Sequence, residues 1–220
     1  MQKPSVVELR AVLVDALGTL VELEPPWRHL AAELGIAEDE RLVAAFRAEM
    51  AYYRAHAQEG CDEESLADLR SRCAALLSRE LGREVGVPEL MASLRFRAFD
   101  DAPSALAELR ERGLRLVCVS NWDYALPDVL ERVGLLPLLD GVVTSAAVGA
   151  RKPEPRIFHA ALEVAGCDAS EALHVGDSSE EDVVGAEAAG IPAVLLDRTG
   201  GGDIRSLADL PGAIARLGSP

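Results

Sequence analysis

The stretch RAVLVDALGTL, residues 10–20, places a carboxylate directly after an almost unbroken apolar run. The run Arg10–Val14 does not alternate with polar residues, which is typical of a strand covered on both faces of a parallel sheet. Asp15 then stands at the carboxyl end of that strand, and Gly18 lies in the turn that follows. Because open parallel sheets bind ligands at the carboxyl ends of their strands, we expect a functional site here.

The rest of the chain repeats this pattern. Further strand-like runs are Leu114–Val119, Leu173–Val175 and Ala193–Leu196, with Val142–Val143 as a weaker one. Helices are predicted over Ala102–Arg112, Pro155–Ala165 and Asp182–Ala189. Strands that alternate with helices predict an α/β protein with a doubly wound, Rossmann-like parallel sheet.

The segment of residues 25–99 differs, because no strand-like run is evident in it. Apolar side chains recur at helical spacing, first at Leu42, Phe46 and Met50 and then at Leu66 and Leu69. The pattern predicts an all-helical insertion after the first strand. We therefore expect a core of residues 1–24 and 100–220 and a helical cap of residues 25–99.

Polar residues follow the predicted strands. They are Asp15-Ala16-Leu17-Gly18-Thr19, Ser120-Asn121-Trp122-Asp123, Arg151-Lys152-Pro153 and Gly176-Asp177-Ser178-Ser179, with Asp182 shortly beyond. The chain has two lysines, Lys3 and Lys152, and its other basic residues are arginines. A single lysine in the interior of an arginine-rich chain indicates a position where a compact ammonium charge is needed and a planar guanidinium does not fit.

These four segments, in this order and with a helical insertion after the first, resemble the four motifs of the haloacid dehalogenase superfamily. The resemblance covers nearly the whole chain and implies a hydrolase whose carboxylate nucleophile forms an aspartyl intermediate that water hydrolyses. It implies Asp15, Lys152 and Ser120 as catalytic residues, Asn121, Thr19 and Trp122 as substrate-binding residues, and Asp15, Leu17 (by its backbone carbonyl), Asp177 and Asp182 as Mg²⁺ ligands.

Several of these residues also have a purely structural interpretation. Ser120 suits the N-cap of a following helix, and Asp182 suits the first turn of a helix because of the helix dipole. Trp122 is of a type that commonly packs in a core, and His174, inside a strand, is expected to be a core histidine. The four motifs together favour the functional interpretation for the carboxylates and for Lys152.

Leu17 departs from the family pattern. Phosphatases of this superfamily normally carry a second aspartate two residues after the nucleophile, where it acts as general acid and then as general base. Leucine cannot transfer a proton, and general acid–base catalysis contributes roughly 10²- to 10⁴-fold. We therefore expect poor turnover of alkyl phosphates and a smaller loss for substrates with good leaving groups.

Three hypotheses follow: a Mg²⁺-dependent phosphohydrolase of limited activity, a hydrolase similar to the 2-haloacid dehalogenases, and a non-catalytic member that binds a metabolite or a partner. Dehalogenases tend to replace the acids of the fourth motif, so Asp177 and Asp182 favour the first over the second. Retention of Asp15 and Lys152 disfavours the third. Phosphonoacetaldehyde hydrolases use a cap lysine, and residues 25–99 contain none.

Composition limits the partners. The 220 residues carry a formal net charge of −15, which disfavours nucleic acids and anionic membranes. It does not forbid the small, anionic substrate that the resemblance implies, although such a site needs local positive charge. No apolar stretch is long enough to span a bilayer. The segment Met1–Glu8 lacks the features of a secretory signal, and the four cysteines form no CxxC pair. We expect a cytoplasmic protein with reduced thiols.

Overall fold

A computed structural model describes residues 9–217 of the chain. Lys3 and the segment Met1–Glu8, on which the prediction about secretion rests, lie outside the described residues. Within residues 9–217, no helix is both long enough and apolar enough to cross a membrane.

A parallel sheet forms the centre of the fold. The strands are β1 Ala11–Val14, β2 Val21–Leu23, β3 Phe96–Ala98, β4 Arg115–Ser120, β5 Gly141–Thr144, β6 Ala172–Gly176 and β7 Ala193–Leu195. In the described part of the chain, five of them pair in the order β5-β4-β1-β6-β7, all parallel. This confirms the predicted sheet. Val14, at the end of the central strand, pairs with Cys118 on one side and Val175 on the other, so Asp15 emerges between two neighbouring strand ends.

The α-helices of the described chain are α1 Pro26–Leu34, α2 Glu40–His56, α3 Glu63–Leu81, α4 Val87–Ser93, α5 Ala102–Glu111, α6 Leu126–Arg132, α7 Ser145–Val148, α8 Pro155–Ala165, α9 Gly185–Ala188 and α10 Leu210–Leu217. Helices α5, α6 and α10 cover one face of the sheet, and α8 and α9 cover the other. Successive residues of a strand point to opposite faces, so Val12 and Val14 pack with α5 and α6. Leu13 packs with α8 on the other face. The sheet is therefore doubly wound, as predicted.

The prediction that residues 25–99 contain no strand was wrong. Strand β3 pairs antiparallel with β2, in the register Val21↔Ala98 and Leu23↔Phe96. Three residues are too few to show a hydrophobic period, and β3 holds Arg97 at its centre. This short ribbon carries the chain out to helices α1–α4 and back.

Helices α1–α4 have a hydrophobic cluster of their own. Leu42 and Phe46 of α2 pack with Leu66 and Leu69 of α3, which confirms the helical spacing predicted for these residues. Helix boundaries follow local chemistry. Helix α3, for example, begins at a capping box made by Asp62 with Ser65 and ends at Gly82, whose φ is 64°.

The predicted helix over Asp182–Ala189 needs correction. A π-helical turn occupies Ser179–Val184, and the α-helix α9 follows it. The wide turn is closed by a hydrogen bond from the Val183 N–H to the Ser178 carbonyl, five residues back. The same turn places the Asp182 side chain against the sheet, where it is buried. Side-chain spacing in a sequence cannot distinguish such a π turn from the first turn of an α-helix.

Candidate active site

The polar residues at the strand ends meet at one edge of the sheet, as their shared position predicts. Lys152 Nζ donates to Asp15 Oδ1 at 2.6 Å and to Asp182 Oδ1 at 2.5 Å. Ser120, the last residue of β4, donates through Oγ to the same Asp15 oxygen at 3.3 Å. One oxygen of Asp15 is therefore held by two donors that come from different segments of the chain.

Lys152 is a fully buried cation between two carboxylates, with an exposed side-chain fraction of 1%. Burial acts to lower the pKa of Lys152, but the charges of Asp15 and Asp182 outweigh burial and raise it. The ammonium group is therefore kept charged inside the protein. A buried ion pair of this kind is poorly justified by stability alone, because desolvation consumes most of the Coulomb energy. Its position beside Asp15 indicates a functional purpose.

Asn121 fixes the backbone that carries this lysine. Its Oδ1 accepts from the Lys152 backbone N–H at 2.7 Å, and its Nδ2 donates to the Lys152 carbonyl at 3.0 Å. The amide thus pairs with both polar groups of one residue, in the way that a neighbouring strand would. The structure places Asn121 as a support for Lys152, and a contact with substrate stays a prediction.

Asp182 is held by three donors. Besides Lys152, the His174 ring approaches Oδ1 through Nε2 at 2.9 Å, and the Ser178 N–H donates to Oδ2 at 3.0 Å. Burial acts to raise the pKa of Asp182, but Lys152 and His174 hold it below its ordinary range. The carboxylate fits because residue 176 is glycine: a Cβ there would lie 2.1 Å from the Asp182 carboxyl carbon.

His174 is buried in β6, as predicted for a core histidine, but its pairing with Asp182 could not be predicted from the sequence. Its Nδ1 has no hydrogen-bond partner among the described residues. Phe158 packs edge-on against the ring at a centroid distance of 5.1 Å.

The two carboxylate oxygens of Asp15 differ in their hydrogen bonding: Oδ1 accepts from Lys152 and Ser120, and Oδ2 does not. Asp15 Oδ2 is buried and, within the described chain, accepts no hydrogen bond. Burial raises the pKa of Asp15 to about 6; Lys152 opposes this rise, and the charge of Asp182 adds to it. An oxygen with unused lone pairs and an anionic neighbourhood is a position that a cation would stabilise.

Asp177 completes a group of three carboxylates. One carboxylate oxygen from each of Asp15, Asp177 and Asp182 lies within 4.8 Å of the others. Asp15 and Asp182 are buried, whereas Asp177 is exposed and open to a ligand from solvent. Partial burial of its carboxylate, followed by the charge of Asp182, raises the pKa of Asp177. Oxygen ligands of this kind suit Mg²⁺.

Gly18 lets the loop after β1 approach this group. Its φ is +92°, and a Cβ at this position would lie 2.0 Å from Asp177 Oδ2. The Gly18 N–H donates to the Val21 carbonyl at 2.8 Å, which closes the turn. Leu17, the preceding residue, is half-buried and packs its side chain against the main hydrophobic cluster. No proton-transfer group therefore occupies position 17.

Two of the predicted substrate-binding residues lie in the core. Trp122 is buried and packs on Phe96 at a ring-centroid distance of 5.2 Å. Thr19 is fully buried, and its Oγ1 has no partner in the described region. Contact of either with a substrate stays a prediction.

Helices α1–α4 touch the core beside this site. The hydroxyl of Tyr53 on α2 donates to Asp123 Oδ2 at 2.7 Å. Arg151, next to Lys152, donates to the carbonyl of Arg54 at 3.2 Å. Burial raises the pKa of Asp123. The sequence showed Asp123 only as part of a motif, and nothing in it named the tyrosine as its partner.

The chain also matches a model of a known protein family over most of its length. The family model described as "haloacid dehalogenase-like hydrolase" matches residues 9–190.

Among curated proteins, the chain is 44% identical over 101 residues to haloacid dehalogenase-like hydrolase domain-containing protein 3 of Bos taurus, covering 46% of this chain and 40% of that protein. It is 37% identical over 123 residues to a phosphoserine phosphatase of Thermus thermophilus, covering 54% and 48% of the two chains. The matched regions thus span less than half the length of these relatives. Among solved structures, a HAD phosphatase from Thermococcus onnurineus superposes with a TM-score of 0.67 at 28% identity, over 94% of this chain and 98% of that one.

Proposed function

Because the chain belongs to the haloacid dehalogenase-like hydrolases, we propose that it is a Mg²⁺-dependent phosphohydrolase acting on a small phosphorylated metabolite. The observation that carries this proposal is the unequal treatment of the two Asp15 oxygens. Oδ1 is held by Lys152 and Ser120, whereas Oδ2 is buried without a partner in the described chain. One oxygen of Asp15 also lies within 4.8 Å of a carboxylate oxygen from each of Asp177 and Asp182. This arrangement supports a role for Asp15 in which its unpartnered oxygen contacts a cation beside an anionic substrate.

The residues present fit a Mg²⁺ ion. Asp15, Asp177 and the backbone carbonyl of Leu17 would hold it. Asp182 lies within reach, although its oxygens already accept hydrogen bonds from Lys152, His174 and Ser178. When bound, the ion supplies charge neutralisation between the carboxylates and the phosphoryl oxygens, and without it these anions would repel each other.

In the proposed reaction a carboxylate oxygen of Asp15 attacks phosphorus, and the bond from phosphorus to the leaving group breaks. The leaving group takes the electron pair, and Asp15 becomes an aspartyl phosphate that water then hydrolyses. Lys152 balances the charge of Asp15 and of the phosphoryl group, and its buried ammonium needs no reorganisation during the reaction. The backbone N–H of Asn121 would donate to a phosphoryl oxygen, and the Ser120 hydroxyl, which donates to Asp15 Oδ1 in the structure, would turn to a phosphoryl oxygen when substrate binds.

Leu17 narrows the substrate class. A leaving alkoxide needs a proton, and the side chain at position 17 has none to give. An acyl or aryl phosphate releases a carboxylate or a phenolate. Each of these leaving groups is a stable anion and needs no proton from a general acid. We therefore expect activity on phosphate groups whose leaving group is weakly basic, and slow turnover of alkyl phosphates.

Residues 25–99 serve, in this proposal, as a cap over a core of residues 1–24 and 100–220. Their contacts to the core, from Tyr53 to Asp123 and from Arg151 to the Arg54 carbonyl, lie beside the strand-end residues. A cap in this place would exclude water from the aspartyl phosphate and select the substrate. We also propose a cytoplasmic location, and the net charge of −15 disfavours a nucleic-acid partner.

Leu17 also supports a second candidate, a hydrolase that attacks carbon as the 2-haloacid dehalogenases do, because halide leaves without a proton. The convergence of Asp177 and Asp182 on Asp15 favours the phosphohydrolase, since attack on a haloacid needs no metal. A non-catalytic member that binds a metabolite or partner would not need a buried Lys152 beside Asp15.

The test is phosphate release from an aryl phosphate and from an acyl phosphate, with Mg²⁺ and with EDTA. We expect Mg²⁺-dependent release by the wild type and none by Asp15→Asn. Asp128→Asn, which removes an exposed carboxylate on α6, is the matched control and should keep wild-type activity. Absence of release by the wild type with Mg²⁺ would refute the phosphohydrolase proposal, and 2-haloacids would then be the next substrates.

A further inference from the structure

Arg198 makes a set of contacts that the proposed reaction does not use. It lies three residues beyond the end of β7, at the same edge of the sheet as Asp15. Its Nη2 donates to the Thr19 carbonyl at 2.9 Å and its Nε to the Gly18 carbonyl at 3.4 Å. These two carbonyls belong to the loop that follows the nucleophile.

The other side of the same guanidinium holds the returning chain. Arg198 pairs with both oxygens of Asp101, at 2.9 and 3.1 Å, and its Cζ lies 3.6 Å from the centre of the Phe99 ring. Asp101 also accepts from the Ser206 hydroxyl at 2.6 Å and from the Leu207 N–H at 2.9 Å.

Burial acts to raise the pKa of Asp101, but its bonds to Arg198 and Ser206 outweigh burial and lower it, so the carboxylate stays ionised. One arginine thus joins the segment before β2 to the segment after β3, the two points at which the chain leaves and re-enters the parallel sheet.

These contacts of Arg198 restrain the loop of residues 17–19, whose Leu17 carbonyl would bind the proposed Mg²⁺. The Gly18 N–H is tied to the Val21 carbonyl. Because a trans peptide is planar, this bond sets the opposite direction for the Leu17 carbonyl. The Gly18 and Thr19 carbonyls are tied to Arg198 on the far side. The loop is therefore restrained at three successive peptide groups, and its shape decides where the Leu17 carbonyl points.

We propose that Arg198 is a positioning residue for the nucleophile loop, which it holds in the shape that binds Mg²⁺ while tying both strands of the β2–β3 ribbon to the core. The proposal rests on the proposed function for the identity of the ion. Lysine cannot replace this arginine, because a single ammonium cannot reach two carbonyls and both oxygens of a carboxylate in one plane.

The test compares Arg198→Lys with the wild type in Mg²⁺ binding by calorimetry and in amide hydrogen exchange of the nucleophile loop. Loss of a partner outside the direct ligands of a metal typically lowers metal affinity 10- to 100-fold, so we expect Mg²⁺ affinity to fall about 10-fold. The amides of Gly18, Leu20 and Val21, which are hydrogen bonded within the loop, should exchange faster without metal present.

Arg110→Lys is the matched control. Arg110 also bonds a carboxylate, Asp140, and a backbone carbonyl, that of Leu138, but it does so on α5, away from the nucleophile loop. It should keep wild-type Mg²⁺ affinity and wild-type exchange of the loop. Asp101→Asn keeps the shape of the side chain that pairs with Arg198 and removes its charge. It should accelerate hydrogen exchange at the same amides, and it replaces Arg198→Lys in the test if that variant fails to fold.

The outcomes separate the two proposals. If Arg198→Lys loses only thermal stability, like the control, and keeps both Mg²⁺ affinity and loop exchange, Arg198 is structural and the inference is overturned. If the wild type neither binds Mg²⁺ nor releases phosphate, the proposed function fails, and the exchange experiment on metal-free protein still decides whether Arg198 restrains the loop.

Discussion

If the chain is the proposed phosphohydrolase, replacing Leu17 by aspartate should raise its kcat/KM on alkyl phosphates. Position 17 lies two residues after the nucleophile, in a loop whose backbone is closed by the hydrogen bond from Gly18 to Val21. The Leu17 side chain is half-buried against the main hydrophobic cluster. A carboxyl group here could give a proton to a leaving alkoxide and then remove one from the attacking water.

The size of the effect can be bounded from the structure. Fully burying a leucine stabilises a protein by about 1.5–3 kcal/mol, so a half-buried Leu17 contributes about 1 kcal/mol. Leu17→Asp should therefore fold. Gaining a general acid–base group should raise kcat/KM on an alkyl phosphate by roughly 10²- to 10⁴-fold, which corresponds to about 3–5 kcal/mol of transition-state stabilisation.

The assay measures phosphate release from one alkyl and one acyl phosphate by the wild type, Leu17→Asp and Leu17→Asn. Asparagine has the shape and polarity of aspartate but transfers no proton, so it is the matched control. We expect a large gain on the alkyl phosphate for Leu17→Asp alone, and a much smaller change on the acyl phosphate, whose leaving group needs no acid.

An equal gain for Leu17→Asn would refute this reasoning, because polarity and not proton transfer would then explain the rate. So would an unchanged alkyl phosphate rate in a folded Leu17→Asp that still binds Mg²⁺ and still hydrolyses the acyl phosphate. The first result would exclude proton transfer as the cause of the gain, and the second would mean that position 17 does not face the leaving group.

Three further predictions follow from single side chains. Lys152→Met should abolish phosphate release and, because breaking a buried ion pair costs about 3–5 kcal/mol, should lower the free energy of unfolding measured with denaturant by a similar amount. Gly18→Ala should weaken Mg²⁺ binding at least 10-fold in calorimetry, because its Cβ would meet the Asp177 carboxylate, whereas Gly134→Ala, at a φ of +77° with nothing within 4 Å, should show the backbone strain alone. Burial raises the pKa of Asp123 above its unfolded value, so its contribution to stability is lost as pH rises through the folded pKa. Asp123→Asn should therefore gain stability relative to the wild type as pH rises from 4 to 7 in denaturant titrations, and a constant difference would contradict this.

The sequence by itself determined the parallel sheet. Short apolar runs without alternation, each followed by a turn and a helical pattern, are typical of strands covered on both faces, and the carboxyl ends of such strands share an edge of the sheet. That rule predicts that Asp15, Ser120, Lys152 and Asp177 lie close together. The roles of Asp15 and Lys152 stay predictions that the experiments above test, and the cap of residues 25–99 stays a prediction.

Only the tertiary structure decided the connections between distant segments. Strand β3 is too short to show a hydrophobic pattern, and the residue pattern before α9 does not distinguish a π turn from an α-helical turn. Asn121 and Lys152 are 31 residues apart, and Arg198 lies 180 residues from the loop it holds. The residue type at a strand end shows which hydrogen bonds and ion pairs the side chain can form. It does not show the partner, because the tertiary fold decides which segments come within about 3 Å of that side chain.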